Sequence, residues 1–356
     1  MTQNFQVLHQ FIPAARKNLS DGIWDYLMGA AETETTHKRN RLALDSLALR
    51  PRVLRDISNR DISGSVLGCQ LKMPVILAPI GSLQDIVTGG AETIAIAAAK
   101  TGVMQMVSSA ASNSLEDVAA AANGPKIFQL YVRGNRDWVD DHVARAIDAG
   151  YNGFCLTVDL DLYGRRERDQ AKNFVTTTQK IPFDQSFQER FCWRDVVRLK
   201  QKFDIPMILK GIATGEDARL AVECGMDAIY ASNHGGRQLD SGRGTMDFLP
   251  EIVDAVSGRA EVIADGGIMR GTDIIKALAL GASAVGIGRL YVLAAAAAGV
   301  EGVVRAMELL HHELDTAMGL LGVCSLDELD GSYLVPAPIV NPHNSYPAFP
   351  LLDEGY

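Results

Sequence analysis

The sequence predicts an α/β fold, a (β/α)8 TIM barrel with an N-terminal helical segment and an extended C-terminal tail. Three observations carry this. Eight apolar runs recur from about residue 73, helix-like segments separate them, and most successive runs stand about 22–33 residues apart, the length of one βα unit. The runs cover 73–80, 103–109, 127–132, 153–159, 206–211, 228–233, 261–267 and 284–289. They are apolar throughout rather than alternating, as strands buried on both faces are. A doubly wound open sheet is the second architecture that such a pattern allows.

The segments between the runs, 90–101, 114–122, 136–148, 214–224 and 271–280, are Ala-rich or amphipathic. Gly102, Gly150, Gly225 and Gly281 follow four of the helix-like segments, where a chain leaving a helix needs left-handed backbone. One spacing is longer. A polar stretch, 164–190, precedes a helix over 193–203, and a βα loop of that length acts as a lid or is disordered. Residues 1–72 form an N-terminal helical extension with two helix-like patterns and the basic run Leu49-Arg50-Pro51-Arg52. Residues 73–290 are the barrel core. An Ala-rich helix and a second helix over 303–321 close it within 291–335, and the Pro-containing tail, 336–356, is expected to pack on a neighbouring subunit. The whole chain, 1–356, reads as one domain.

Composition excludes several classes. At 356 residues and 47% hydrophobic the chain can bury a large core. A net charge of −9 argues against a nucleic-acid partner. No run approaches the ~18 apolar residues that span a bilayer, so no membrane anchor is expected. The start, Met1-Thr2-Gln3-Asn4-Phe5, lacks the basic and apolar regions of a secretory signal. Asp353-Glu354-Gly355-Tyr356 is not a peroxisomal address. Cys69, Cys155, Cys192, Cys224 and Cys324 have no metal-ligand spacing, and Cys155 and Cys224 read as small core residues. A reduced, cytoplasmic protein without a metal is expected.

The polar residues gather where barrel enzymes keep their active sites, at the C-terminal ends of the strands. The first run ends Ala78-Pro79-Ile80-Gly81-Ser82 and the second Ser108-Ser109. The third carries Gln129 and Tyr131, the fourth ends Thr157-Val158-Asp159, and the fifth Lys210-Gly211. The sixth delivers Ser232-Asn233-His234-Gly235-Gly236-Arg237-Gln238-Leu239-Asp240. The seventh ends Asp265-Gly266-Gly267 and the eighth Gly286-Ile287-Gly288-Arg289. Buried Lys, Asp, Gln and Thr are costly unless a ligand or mutual pairing satisfies them. His234 is a candidate base, and Arg237 can clamp a carboxylate with two parallel hydrogen bonds. Together they suggest chemistry at the carbon next to a carboxylate. Glycines at the last two strand ends, with Arg270 and Arg289, suggest a phosphate seat.

These motifs resemble those of the FMN-dependent 2-hydroxy acid oxidases and dehydrogenases, the family of glycolate oxidase, lactate oxidase and mandelate dehydrogenase. The resemblance covers roughly residues 7–335. It rests on the 232–240 stretch and on Trp24-Asp25-Tyr26, Arg50-Pro51-Arg52, Phe128-Gln129-Leu130-Tyr131, Thr157-Val158-Asp159, Gly164-Arg165-Arg166-Glu167 and Asp265-Gly266-Gly267. It implies oxidation of an L-(S)-2-hydroxy acid to the 2-oxo acid, with O2 or another electron acceptor, in a homo-oligomer of four subunits or more. It implies His234 as the base, with Asp159 to stabilise the imidazolium. Arg237 and Arg166 would clamp the substrate carboxylate, and Tyr26 and Tyr131 would hydrogen-bond the substrate. Lys210 would sit near N1 and O2 of the flavin, with Ser108, Gln129, Thr157, Ser232 and Asp265 in the cofactor site. Backbone of Pro79, Ile80 and Gly81 would lie against the ring, and Gly266, Gly267, Arg270, Gly288 and Arg289 would hold the phosphate. His234 has two possible protons to take, that on the α-carbon and that on the hydroxyl.

The chain departs from the family pattern at Ala110, where glycolate-preferring relatives carry Trp. A roomier substrate pocket follows, suited to a lactate-like or mandelate-like acid. Gly81 stands where several oxidases have Ala and is like some dehydrogenases in this. Met269 stands where the family places a phosphate-binding Arg, and Asp161 where Pro is common. Other chemistries on such a barrel are a Schiff-base lyase using Lys210, an FMN-dependent isomerase and a non-catalytic flavin-binding module.

Overall fold

The computed structural model describes residues 5–182, 184–340, 348, 349 and 352. The readings at residues 1–4 and 353–356 lie outside the described residues. The chain enters through α1 (Phe11–Asn18), α2 (Asp21–Met28) and α3 (Thr35–Asp45), one helix more than the pattern suggests. After β1 (Leu47–Leu49), the hairpin of β2 (Gly64–Val66) and β3 (Cys69–Leu71) packs Val66 and Leu71 into one cluster with Ile76, Met104, Ile127 and Ile263 of the barrel interior. The hairpin thus plugs the barrel.

Eight parallel strands close the barrel in chain order: β4 (Val75–Leu77), β5 (Met104–Ser108), β6 (Lys126–Leu130), β7 (Gly153–Thr157), β8 (Met207–Ile212), β9 (Ala228–Ala231), β10 (Glu261–Ala264) and β11 (Ala284–Ile287), which pairs back onto β4. Each falls within its apolar run or one residue outside it. Around them run α4 (Gly90–Thr101), α5 (Leu115–Ala121), α6 (Arg136–Asp148), α7 (Glu167–Ala171), α8 (Ser186–Arg190), α9 (Trp193–Lys202), α10 (Gly215–Glu223), α11 (Thr245–Val256), α12 (Gly271–Ala279) and α13 (Arg289–Leu321). Side chains of Ser114, Asn135 and Thr214 accept the backbone amides of Asp117, Trp138 and Asp217, which fixes where α5, α6 and α10 begin. The glycines at 102, 150, 225 and 281 all have positive φ.

Some expectations are resolved here and others change. The described residues of the 164–190 stretch are folded as a lid, into α7, a 3-10 turn at Thr178–Lys180 and α8. It is pinned to the strand-end loops, since Ser82 Oγ donates to Thr176 Oγ1 (2.8 Å) and Thr178 Oγ1 to the Ala110 carbonyl (2.8 Å). The two expected closing helices are both present, written together as α13 and separated by a non-helical break at Ala298 and Gly299, where φ is −154° and 60°. By length and composition α13 is apolar enough to cross a membrane (mean hydropathy 1.5), contrary to the reading that no such run exists. That hydrophobicity serves the core, because α13 packs on α1, α4 and α12. The tail folds onto its own chain where it is described. Strand β12 (Leu334–Pro336) pairs with β1, and Phe349 is buried with its ring edge-on to His9. Finally, Cys155 is a core residue but Cys224 is half-buried.

Candidate functional site

A cavity opens at the C-terminal ends of the strands, under the folded lid. Its chemical centre is made by an unusual turn. After β9, His234, Gly235 and Gly236 all take positive φ (58°, 65° and 77°), and Asn233 Oδ1 accepts the Gly236 amide at 3.1 Å. Left-handed backbone at a histidine costs energy that the surrounding packing must hold. The turn carries the imidazole across to the end of β7. There His234 Nδ1 lies 2.9 Å from Asp159 Oδ1, while Nε2 lies 3.4 Å from Tyr131 Oη. A carboxylate on Nδ1 keeps the proton on that nitrogen and leaves the Nε2 lone pair toward the cavity.

The electrostatics agree. Burial lowers the His234 pKa below its ordinary 6.5, and Lys210 and Arg166 add to this against the opposing pull of Asp159. The ring is therefore neutral at pH 7. Burial pushes the Asp159 carboxyl up, but His234 and Lys210 outweigh it and hold it below the usual range. Burial, with Asp159 nearby, raises the Tyr131 phenol, so it stays protonated and can donate. Room for Asp159 comes from a bulge in β8 at Gly211, where φ is 108°. A Cβ there would sit 2.5 Å from Asp159 Cγ. Gly211→Ala is expected to lose about 1–3 kcal/mol of stability, from the strained backbone and the displaced carboxylate together. Denaturant unfolding checks this, and an unchanged midpoint would show that the bulge tolerates the methyl.

Beneath the histidine lies a buried polar chain. Lys210 Nζ donates to Ser232 Oγ (2.9 Å) and lies 3.3 Å from Asp265 Oδ2, and Ser232 Oγ donates to Asp265 Oδ1 (2.6 Å). Burial works against the lysine's charge, but Asp265 and Asp159 prevail and raise its pKa. Ser108, Gln129 and Thr157 stand at the ends of β5, β6 and β7, buried behind the cavity wall. Gln129 Nε2 donates to Thr157 Oγ1 (2.8 Å), whereas its Oε1 has no partner.

Two guanidinium groups converge on the Tyr26 ring, Arg237 at 5.0 Å and Arg166 at 6.0 Å from its centroid. Arg237 is held by the carbonyls of Tyr26 and Gly29 at the end of α2, both at 2.7 Å. Arg166 donates to Tyr163 Oη, and its buried Nε meets no partner. Tyr26 Oη donates to the Gly81 carbonyl at 3.3 Å. Ala110 lies close by, since its Cβ would be 3.1 Å from a Cβ on Gly81. Two small residues thus stand side by side in the cavity wall, close to Tyr26 Oη, which would lie 3.6 Å from that Cβ.

At the far end the loop after β10 is clamped from α3. Arg41 pairs with both carboxylate oxygens of Asp273 (2.8 and 2.9 Å) and donates to the Gly267 carbonyl (3.2 Å). Asp273 in turn accepts the amides of Met269 and Arg270. Arg289 borders the cavity, its guanidinium on the carbonyls of Leu27, Gly29 and Gly235. One reading is corrected here. Arg270 turns outward to an ion pair with Glu313 (2.8 Å) and to the Ala348 carbonyl, so it does not reach the expected phosphate seat. Gly286 borders the cavity and also has to be small, because a Cβ there would lie 1.7 Å from the Tyr230 hydroxyl. Gly288 is the open one, with Ile80 Cδ1 at 3.6 Å as its nearest neighbour.

Of the other expected residues, Pro79, Ile80, Gly81, Gly266 and Gly267 border the cavity, whereas Asp159 and Ser232 stand behind His234 and Lys210. Sequence reading missed His37, Arg133, Leu160, Tyr163, Thr178 and Gln179, which also border it. Tyr163 adjoins the Gly164-Arg165-Arg166 motif and could have been found by it; His37 carries no such signal.

Comparison with known proteins gives one family. The model of the FMN-dependent dehydrogenase family matches residues 15–183 and 177–336. The chain is 41% identical to an L-lactate oxidase of Nostoc sp., covering 92% of this chain and 97% of that protein. It is 38% identical to a peroxisomal (S)-2-hydroxy-acid oxidase of Oryza sativa subsp. japonica, covering 94% and 97%. Among solved structures, a mandelate oxidase with benzoyl-formic acid superposes with a TM-score of 0.88 at 38% identity, covering 95% of this chain and 100% of that one.

Proposed function

The chain belongs to the family of FMN-dependent dehydrogenases, and from that premise we propose that it oxidises an L-2-hydroxy acid larger than glycolate to the 2-oxo acid, with O2 as electron acceptor. The observation that carries the reading is the neutral His234, backed by Asp159, facing a cavity that two guanidinium groups make anion-seeking.

The residues present fit FMN. Gln129 Oε1 is a buried acceptor without a partner, suited to the imide N–H of the ring. The charged Lys210 suits a ring edge on which negative charge collects, and Gly266, Gly267, Gly288 and Arg289 suit the phosphate. Ser108, Thr157, Ser232 and Asp265 complete the polar side, and backbone of Pro79, Ile80 and Gly81 the apolar one. When bound, FMN supplies the two-electron acceptor that no side chain can provide. The chain's own residues bind and deprotonate the substrate. Arg237 and Arg166 hold its carboxylate, with the unpartnered Nε of Arg166 as one donor, and Tyr26 and Tyr131 orient its carboxylate and hydroxyl. His234 Nε2 takes a substrate proton, and Asp159 stabilises the imidazolium that forms. Lys210 does not suit a Schiff-base lyase, because its raised pKa keeps the amine protonated.

The test is anaerobic mixing of the purified protein with L-lactate, glycolate and S-mandelate in turn, followed by admission of air. Bleaching of the flavin band by one acid is expected, with recolouring in air at the speed of an oxidase. No bleaching by any of them would move the function to an isomerase or a binding role. Substrate size has its own test. Ala110→Trp should put an indole into the cavity at its wall beside Gly81 and lower kcat/KM for mandelate at least tenfold more than for lactate. Equal losses would sink the assignment of Ala110 to substrate size.

A further inference from the structure

Among the described residues bordering the end of the cavity between β10 and β11, the only cation is Arg289, since Arg270 is turned out to Glu313 and position 269 is Met. His37 borders the same cavity. It lies on α3, four residues before Arg41 and so on the same face, and that helix packs its next turn, Asn40 and Arg41, against Gly266 and Gly267. The His37 backbone also touches the catalytic turn, because a Cβ on Gly236 would lie 2.5 Å from the His37 amide nitrogen. The side chain is 5% exposed, yet neither ring nitrogen has a hydrogen-bond partner. A buried imidazole left with nothing to bond is a cost that a folded protein rarely carries without return.

The surroundings say what is missing. After burial, the charges that act most on the ring are Arg289, Arg237, Arg168 and Lys38, all positive, and together they hold its pKa well below 6.5. This is a place short of an anion. His9, also buried with both nitrogens unpartnered, makes the contrast: it stacks edge-on to Phe349 and does not border the cavity.

We propose that His37 is a cofactor-anchoring residue that donates a ring N–H to the FMN phosphate, beside Arg289. The assignment rests on the FMN site proposed above. It requires that His37 act on the phosphate and not on the flavin ring, so FMN and riboflavin, which differ only in that group, separate it from a packing role. Affinities of both flavins for the full-length protein, freed of its cofactor, are read from quenching of flavin fluorescence.

His37→Leu is expected to weaken FMN at least tenfold, the loss of one hydrogen bond to a charged group, and to change riboflavin less than twofold. His37→Gln, which keeps an N–H, should recover most of the FMN affinity. An equal change for both flavins, or an unchanged FMN affinity, would overturn the proposal. So would failure of the wild-type chain to bind either flavin, which would overturn the cofactor assignment with it. Should His37→Leu fail to fold, 15N-histidine spectra of the wild-type protein decide the matter. The histidine signal absent in His37→Gln is expected to move on adding FMN and to stay in place on adding riboflavin, and no difference between the two would overturn the assignment.

Discussion

His234→Gln is expected to lower kcat by about 10²–10⁴-fold while the protein retains its FMN, the usual cost of losing a positioned base. The glutamine amide can fill the space and bond Asp159 but cannot accept a proton. Cofactor retention is expected because the Lys210–Ser232–Asp265 chain, which would hold the flavin, depends on the His234 backbone, through its amide on Ser232 Oγ (3.0 Å), and not on its imidazole. Loss of flavin in this variant would reassign His234 to structure. The same residue fixes the pH profile. The base works only when neutral, so activity is lost as pH falls through the His234 pKa. That pKa is depressed by burial, so the acid limb of kcat/KM for the free enzyme should lie below pH 6.5. The glutamine variant should lack that limb. A wild-type limb above 6.5 would mean that Asp159 outweighs burial, Lys210 and Arg166.

The barrel was legible because its signals are local. Continuous apolar runs, capping side chains and helix-ending glycines act within a few residues, and they located all eight strands and most of the surrounding helices. The long-range contacts were not legible. Arg270 reads as a phosphate ligand from its place after a glycine pair, but its direction is set by Glu313, 43 residues on, and by the tail. Gly286 reads as a cavity glycine and borders the cavity, but the packing that forbids a Cβ there comes from Tyr230 on another strand. His37 lies in a polar stretch, Thr35–Asp45, whose helix gives no hint that one side chain turns into the cavity. Lys210 and Asp265 were recognised as costly at strand ends, and their partnership required the closed barrel.

Lys210→Met is expected to cost about 3–5 kcal/mol of stability, the penalty for stranding one member of a buried ion pair. Lys210 is 3% exposed and Asp265 8%, so solvent replaces little of the lost interaction. Burial works against the lysine's charge, and Asp265, ahead of Asp159, is what raises its pKa. Denaturant midpoints of the cofactor-free proteins would measure the loss without any contribution from bound flavin. The decisive comparison is a second change. If the cost comes from an uncompensated carboxylate, Asp265→Asn in the Lys210→Met background should restore part of the stability, although Asp265→Asn alone destabilises the wild-type chain. Additive losses would instead assign the cost to packing of the lysine stem against the Tyr230 ring, 4.8 Å from Nζ. The double variant separates two roles of one residue. It should fold better than Lys210→Met yet still bleach slowly with substrate, because the positive charge that favours electron arrival at the cofactor would be gone in both.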